Sequence, residues 1–346
     1  MTGVRLTKRG FLVTMIPYFT LLTWYDIFTL SVLRHAVGSS ADTYLIAHAS
    51  FNFIIAITLI LNSFFIHRFS KIRIIYEYSI ATSIVTVLLL FTSSIILRLI
   101  IIFVAGVFFS IGQLAFFTYF WSLTVSEERG RVAGFVGFLS LPIFLILILM
   151  VGIFDFYGAV MLSVILSFGT LAIKLLRPEK AILTSKKDEI GYNPEKRTIL
   201  LYAVPWVLYS LINATLARNM AFYVSQRVPS SYYFMFLSVS QLVGAVFGAL
   251  GGGILADFFG RRLSLVFSLT SYGISLVLVG LVKSHEMFCF VYVVNGLNWG
   301  ILLTLYLLVV WGDLANKESC AKSYSIGLTI YYLATGVGSL LTHQIF

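Results

Sequence analysis

The chain has 346 residues, 59% of them hydrophobic and 11% charged, with a formal net charge of +10 and a mean hydropathy of +0.97. Soluble domains carry about 25% charged residues, so this composition excludes a water-soluble fold and makes a bilayer the solvent. Two cysteines and no zinc-type ligand spacing exclude a disulfide framework and a metal site.

Apolar runs of about 20 residues, the length that crosses about 30 Å of hydrocarbon as a helix, follow one another along the chain. They fall at 11–34, 43–66, 72–95, 98–122, 132–154, 157–176, 198–222, 232–256, 262–282, 287–311 and 323–343, eleven in all. None shows the strict alternation of a membrane strand, so an all-α membrane protein is expected rather than a barrel. Arg5, Lys8 and Arg9 resemble the basic start of a signal peptide, but the run behind them is long and lacks a cleavage site, so it reads as the first span. With the N-terminus cytoplasmic, Arg34, Arg98, Arg227 and Lys283 fall on the outside and Arg218 within a span, while every other Lys and Arg lies at an inner loop or helix end. This is the positive-inside bias. The basic excess therefore reports topology in the cell membrane, and no nucleic-acid partner is expected. Cys289 and Cys320 fall at opposite faces and cannot pair.

In the first span, Asp26 lies mid-run within Thr23-Trp24-Tyr25-Asp26. An acid there costs about 2.5–3.5 kcal/mol on insertion scales and needs a reason: proton exchange, a static ion pair or a bond to a helix backbone. The next inner loop is Ser63-Phe-Phe-Ile-His67-Arg68-Phe-Ser70-Lys71. Span four places Gln113 on one face with Ser110 and Phe117, and Glu127-Glu128-Arg129-Gly130-Arg131 follows, ending in Gly137. Glu77 and Arg98, near span ends, read as structural. A polar stretch at 177–197 mixes six cations with four acids and reads as a cytoplasmic linker near lipid headgroups. It divides the chain into an N-terminal half, 1–176, and a C-terminal half, 198–346.

Span seven carries Tyr209, Asn213 and Arg218. Arg218 can bind a substrate carboxylate, neutralise Asp26 or snorkel outward; Asn213 lies about 140° away around the helix. In span eight, Gly244, Gly248, Gly251, Gly252 and Gly253 form a small-residue stripe for close helix approach. The loop behind it, Gly253-Ile-Leu-Ala-Asp257-Phe-Phe-Gly260-Arg261-Arg262, sets an acid and two arginines between two apolar runs. Span ten presents Asn295, Asn298 and Trp299 at i, i+3 and i+4. Polar residues in spans bond neighbouring helices as well as ligands, so each of these is a contact of either kind. No catalytic constellation or nucleotide motif appears, and neither an enzyme nor a cofactor is expected.

The landmarks repeat. His67 precedes Asp257 by 190 residues, the loop ending in Gly137 precedes Lys317-Glu318-Ser319-Cys320-Ala321, ending in Gly327, by the same offset, and Pro17 precedes Pro205 by 188. Two homologous six-helix halves follow. On that period the second half is one helix short at Phe346, so the twelfth span is either naturally absent or cut off.

The pattern Gly-x-x-x-Asp-x-x-Gly-Arg-Arg resembles the signature loop of the major facilitator superfamily of secondary transporters. Glu128-Arg129-Gly130-Arg131 resembles that family's short basic loop between helices four and five. Trp24-Tyr25-Asp26 resembles the first helix of its metabolite:proton symporter and sugar-porter branch, although Thr23 stands where an acid commonly precedes that triplet. The resemblance implies two pseudo-symmetric halves that alternate access to a site at mid-membrane, lined by helices one, four, seven and ten. Tyr25, Gln113, Tyr209, Asn213, Arg218, Asn295, Asn298 and Trp299 become substrate-contact candidates and Asp26 the proton-coupling carboxylate. Gly253, Asp257, Gly260, Arg261, Arg262, Arg129, Gly130 and Arg131 become latch residues, with Asp257 facing a helix N-terminus. The implied activity is proton-coupled symport of a small polar metabolite, an organic acid or a sugar, by a monomer. The degraded first loop, with His67 in place of the acid, and the missing twelfth span point instead to a transport-incompetent sensor or partner protein. A drug exporter is a third reading, disfavoured because helix five has Gly134, Gly137 and Pro142 but not the fuller glycine-proline motif.

Overall fold

A computed structural model describes residues 7–38, 40–151, 155–176, 196–227, 230–282, 284–316 and 318–345. They form eleven long helices: α1 Lys8–Val37, α2 Ala41–Ser63, α3 Lys71–Phe91, α4 Ile95–Leu123, α5 Ser126–Val151, α6 Phe156–Leu176, α7 Lys196–Ser225, α8 Ser231–Phe259, α9 Arg261–Leu281, α10 His285–Asp313 and α11 Cys320–Ile345. No strand occurs among the described residues. Each helix sits on one of the eleven apolar runs, and ten meet the length and hydropathy of a membrane crossing. The remaining one, α5, begins six residues before its apolar run because Ser126-Glu-Glu-Arg-Gly-Arg131 is helical rather than a loop. Residues 177–195, most of the linker, lie outside the described residues.

The chain ends its turns by ordinary capping chemistry. Thr7, Ser40, Asp155, Ser230 and Ser284 each accept a hydrogen bond from the backbone N–H three residues on, at 2.8–3.4 Å, satisfying donors that a helix start leaves open. Arg98 does the same for carboxyl ends, donating to the carbonyls of Thr92 at 2.7 Å and Ala36 at 3.1 Å. In hydrocarbon every such group must find a partner, so hydroxyls inside spans turn back on their own helix. Ser79, Thr82, Ser83 and Thr86 of α3 all donate to carbonyls four residues earlier.

Two compact units emerge from the packing, each drawing helices from both sides of the linker. The larger contains α1 to α4, α6, most of α7, and α11. In it α2 lies along α11, α4 supports α2 and α3, and α6 packs on α1 and α3. Small hydroxyls permit these contacts: Thr20 meets Thr170 at 2.8 Å, and Thr82 meets Ser167 at 3.4 Å.

The smaller unit contains the first part of α5 with α8, α9 and α10. Its spine is the pair α8–α10, whose backbones touch through glycine. A Cβ on Gly244 or Gly248 would collide with backbone atoms of Val293 or Leu297, and one on Gly252 would lie 2.9 Å from the Ile301 Cα. From the other side Gly296 and Gly300 admit the carbonyls of Gln241 and Ala245. The stripe is thus a packing surface, with Gly253 turned instead toward α5.

Gly248→Leu is expected to force α8 from α10 and destabilise the chain by about 1–3 kcal/mol or more, the cost of overpacking, whereas Gly251→Ala, facing open space, is expected to be nearly neutral. Thermal unfolding of the two variants in detergent checks the contrast.

Candidate functional site

In the larger unit, the triplet Trp24-Tyr25-Asp26 is fixed by its two aromatic members. Trp24 is fully buried and stacks on Phe28 and on Phe109 of α4, with ring centroids 4.6 Å and 5.3 Å away. Tyr25 lies 5.5 Å from Phe109 and meets Tyr332 of α11 edge-on at 5.5 Å, and its hydroxyl donates to Asn52 Oδ1 at 2.7 Å. These contacts tie α1 to α2, α4 and α11 and leave Asp26 partly exposed on the remaining face. Among the described residues its carboxylate makes no ion pair and no side-chain hydrogen bond; Tyr25, Tyr331 and Tyr332 lie in electrostatic reach of it. Two residues later the helix widens into a π-turn, Phe28–Val32, and Thr29 Oγ1 bonds the carbonyls of Tyr25 and Asp26. Such turns concentrate at functional sites.

Gln113 joins this group from α4. Its Nε2 donates to the Tyr332 hydroxyl at 2.7 Å, while its Oε1 is buried and unpaired among the described residues. Tyr209 of α7 is buried and stacks on Trp206, which stacks in turn on Tyr331 and donates through Nε1 to the Gly327 carbonyl at 2.7 Å. Asn213 is partly buried on the same helix. The side chain of Arg218 lies outside the described residues.

The α10 candidates belong to the smaller unit and bond neighbouring helices. Asn295 accepts from Gln241 of α8 at 2.7 Å and donates to Ser275 of α9 at 3.3 Å; Asn298 donates to Ser271 of α9 at 3.0 Å. Trp299 is partly buried beside them. Their amides act here as bonds between helices, the common use of polar side chains in membranes.

A second constellation forms where α5 begins. Asp257, with 3% of its side chain exposed, accepts from the backbone N–H of Gly130 at 3.1 Å and of Arg131 at 2.7 Å, and pairs with the Arg131 and Arg261 guanidinium groups at 3.2 Å and 2.9 Å. A carboxylate at the positive end of a helix is favoured by the dipole. The approach depends on glycine: a Cβ on Gly130 would strike Asp257 and the Gly253 carbonyl, and Gly253 faces the Gly130 carbonyl. Gly260, at φ +91°, turns the chain from α8 into α9 and aims Arg261 back at the cluster; Arg262 points outward, exposed. Arg129, 1% exposed, pairs with Asp313 and donates to Thr124 Oγ1 at 3.2 Å, while Arg261 Nε reaches Asp313 Oδ2 at 2.7 Å and its Nη2 bonds the Ser126 carbonyl.

Asp313 was not among the candidate residues, because it closes an apolar span where an acid is an unremarkable end residue. His48, Asn52 and Ser339 were also missed. His48 Nδ1 meets Ser339 Oγ of α11 at 2.8 Å, and Asn52 Nδ2 donates to the His48 carbonyl at 2.7 Å. A readable signal existed, since His48 and Asn52 stand four apart on one face of an apolar span.

A family model described as sugar (and other) transporter matches residues 201–332. The crystal structure of the human organic anion transporter MFSD10 (TETRAN) matches over 98% of this chain and 93% of that one, with a TM-score of 0.78 and 11% identity. At that identity the likeness shows the fold. No curated protein matches by sequence.

Breaking one member of a buried ion pair strands the other, at about 3–5 kcal/mol. Asp313→Ala is therefore expected to lower stability by that order through Arg129, with Asp257→Ala comparable and Arg262→Ala near neutral; chemical denaturation in mild detergent measures all three.

Proposed function

We propose that the chain is a secondary transporter of the major facilitator superfamily, a reading supported by the sugar (and other) transporter match over residues 201–332 and by the fold likeness, and that it moves a small polar metabolite, a sugar or an organic acid, across the cell membrane by symport with protons. The repeats 1–176 and 198–346 act as the two halves that alternate access, with the N-terminus cytoplasmic. Membrane transport is the family's activity; the coupling and the substrate class are the proposal.

The observation that carries it is Asp26. A carboxylate within a span costs free energy, and an ion pair or a backbone bond would explain it structurally. The described residues offer neither. What surrounds Asp26 instead is hydroxyl and amide chemistry: Tyr25, Tyr331 and Tyr332, with the open Oε1 of Gln113 close by through its bond to Tyr332. A carboxylate without a fixed partner can bind a proton from one side and release it to the other as water access alternates. Hydroxyl-rich surroundings suit a neutral sugar; an organic acid needs a cation in addition. The aromatic rings of Trp24, Tyr25 and Phe109 supply flat apolar faces against which a pyranose ring packs.

The latch cluster gives the transport cycle a state to leave. Separating α5 from α8 removes Asp257 from two backbone donors and two arginines, so the closed arrangement is held discretely rather than loosely.

In proteoliposomes carrying the full chain, uptake of radiolabelled monosaccharides and small organic acids is expected to rise under an imposed inward proton gradient. Asp26→Asn is expected to lose gradient-driven accumulation while retaining substrate exchange. Uptake indifferent to the gradient, or an unchanged response in Asp26→Asn, refutes the coupling.

A further inference from the structure

The connection after α2 stands where the sequence repeat calls for another latch, yet it carries different chemistry. It makes a single turn, Ile66–Arg68, with His67 and Arg68 exposed. Phe64, Phe65 and Phe69 are 50%, 54% and 60% exposed. Beside them a cleft of about 370 Å³ opens between α2, α3 and α4, with Phe65, Ile66, Phe69, Ile74 and Ala81 in its wall. Exposed rings flanking an apolar cleft of this size are costly against water and suit hydrocarbon.

The rim of the cleft is cationic. The Arg68 guanidinium lies 5.8 Å from the centroid of Phe65, a wall residue, and the Lys322 ammonium of α11 lies 5.6 Å from that of Phe64. Lys71 and Arg73 follow in the first turn of α3. Glu77, the one acid in the wall, is already bonded by Arg73 Nε at 2.7 Å. Positive charge is therefore in surplus, one side-chain length from an apolar slot. That pairing fits an amphiphile with an anionic head better than a zwitterionic one, because the one acid among the described wall residues, Glu77, is already bonded by Arg73.

We propose that this cleft binds an anionic phospholipid, one acyl chain lying between α2 and α3 over α4 and the phosphate held by Arg68, Lys71 and Arg73. A phosphate diester recruits arginine as a bidentate donor, and basic residues beside a span attract anionic lipid. The degraded loop then has a use of its own. Where Asp257 binds a helix end, the His67 loop binds the bilayer. This site involves neither Asp26 nor any transported substrate.

The test uses the full chain in nanodiscs of phosphatidylcholine and phosphatidylglycerol with identical acyl chains, followed by detergent extraction and native mass spectrometry of retained lipid. The wild type is expected to retain phosphatidylglycerol several-fold over its share, with the preference falling as salt is raised during extraction. The double variant Arg68→Gln/Arg73→Gln is expected to lose the preference. Ala81→Trp, which fills the cleft and keeps the cations, is expected to lose retained lipid altogether. Arg262→Gln, removing an exposed cation from the other loop, is expected to change nothing. Equal retention of the two lipids, a salt-insensitive preference, a double variant or Ala81→Trp that behaves as wild type, or an equal loss in Arg262→Gln overturns the proposal. The salt series needs only the wild-type protein, so it decides even if a variant misfolds. Competition by soluble glycerol phosphate as effective as by lipid would show an anion site without the acyl chain, and would overturn it too.

Discussion

Gly130 and Gly253 let the backbones of α5 and α8 meet without side chains between them, and the Asp257 carboxylate lies over that contact. The smaller unit depends on this arrangement. Removing a carboxylate from water is expensive, and only a dense set of donors offsets it; here two backbone N–H groups and two guanidinium groups supply them. Each donor must itself be held in place. Gly260 supplies the left-handed turn that returns Arg261 to the cluster, and Asp313 bridges Arg261 to the buried Arg129. Such a network is all-or-none, because a half-satisfied set of buried charges is worse than none.

Inside its spans the larger unit bonds its polar groups chiefly through hydroxyls, amides and rings; the ion pair described in it, Arg73–Glu77, is exposed at the start of α3. Tyr25 bonds Asn52, Gln113 bonds Tyr332, His48 bonds Ser339 and Trp206 bonds the Gly327 carbonyl. Around these bonds the aromatic residues interlock, so side-chain positions near Asp26 are determined by packing as well as by polar contact. Among these groups Trp24 Nε1 and Gln113 Oε1 are buried without a hydrogen-bond partner among the described residues, and the Asp26 carboxylate beside them makes no ion pair there. The contrast between the units has a physical basis: buried charge pairs are costly to separate, whereas a single hydrogen bond between neutral groups contributes only about 1 kcal/mol net.

The Asp257 loop and the His67 loop, 190 residues apart, carry different chemistry. Asp257 and its glycines keep the geometry that a helix-end contact demands. The His67 loop, residues 63–71, contains neither an acid nor a glycine and so lacks the groups with which Asp257 receives a helix N-terminus. Its phenylalanines and cations face outward instead, which suits the headgroup boundary of a membrane.

Much of this was legible in the sequence. Span count, helical class and the two special loops follow from hydropathy, length and glycine placement, because a bilayer imposes those rules on each segment separately. Asp26 and Asp257 could be singled out for the same reason: an acid amid apolar residues is anomalous wherever the chain later carries it. Partners were not legible. Asp313 clamps two arginines, Asn52 positions Tyr25, and the amides of Asn295 and Asn298 join helices, and none of these roles is visible along one span. Sequence alone determined which residues are costly in hydrocarbon. Only the tertiary structure decided which of them are compensated, since compensation depends on distances of about 3 Å between residues far apart in the chain.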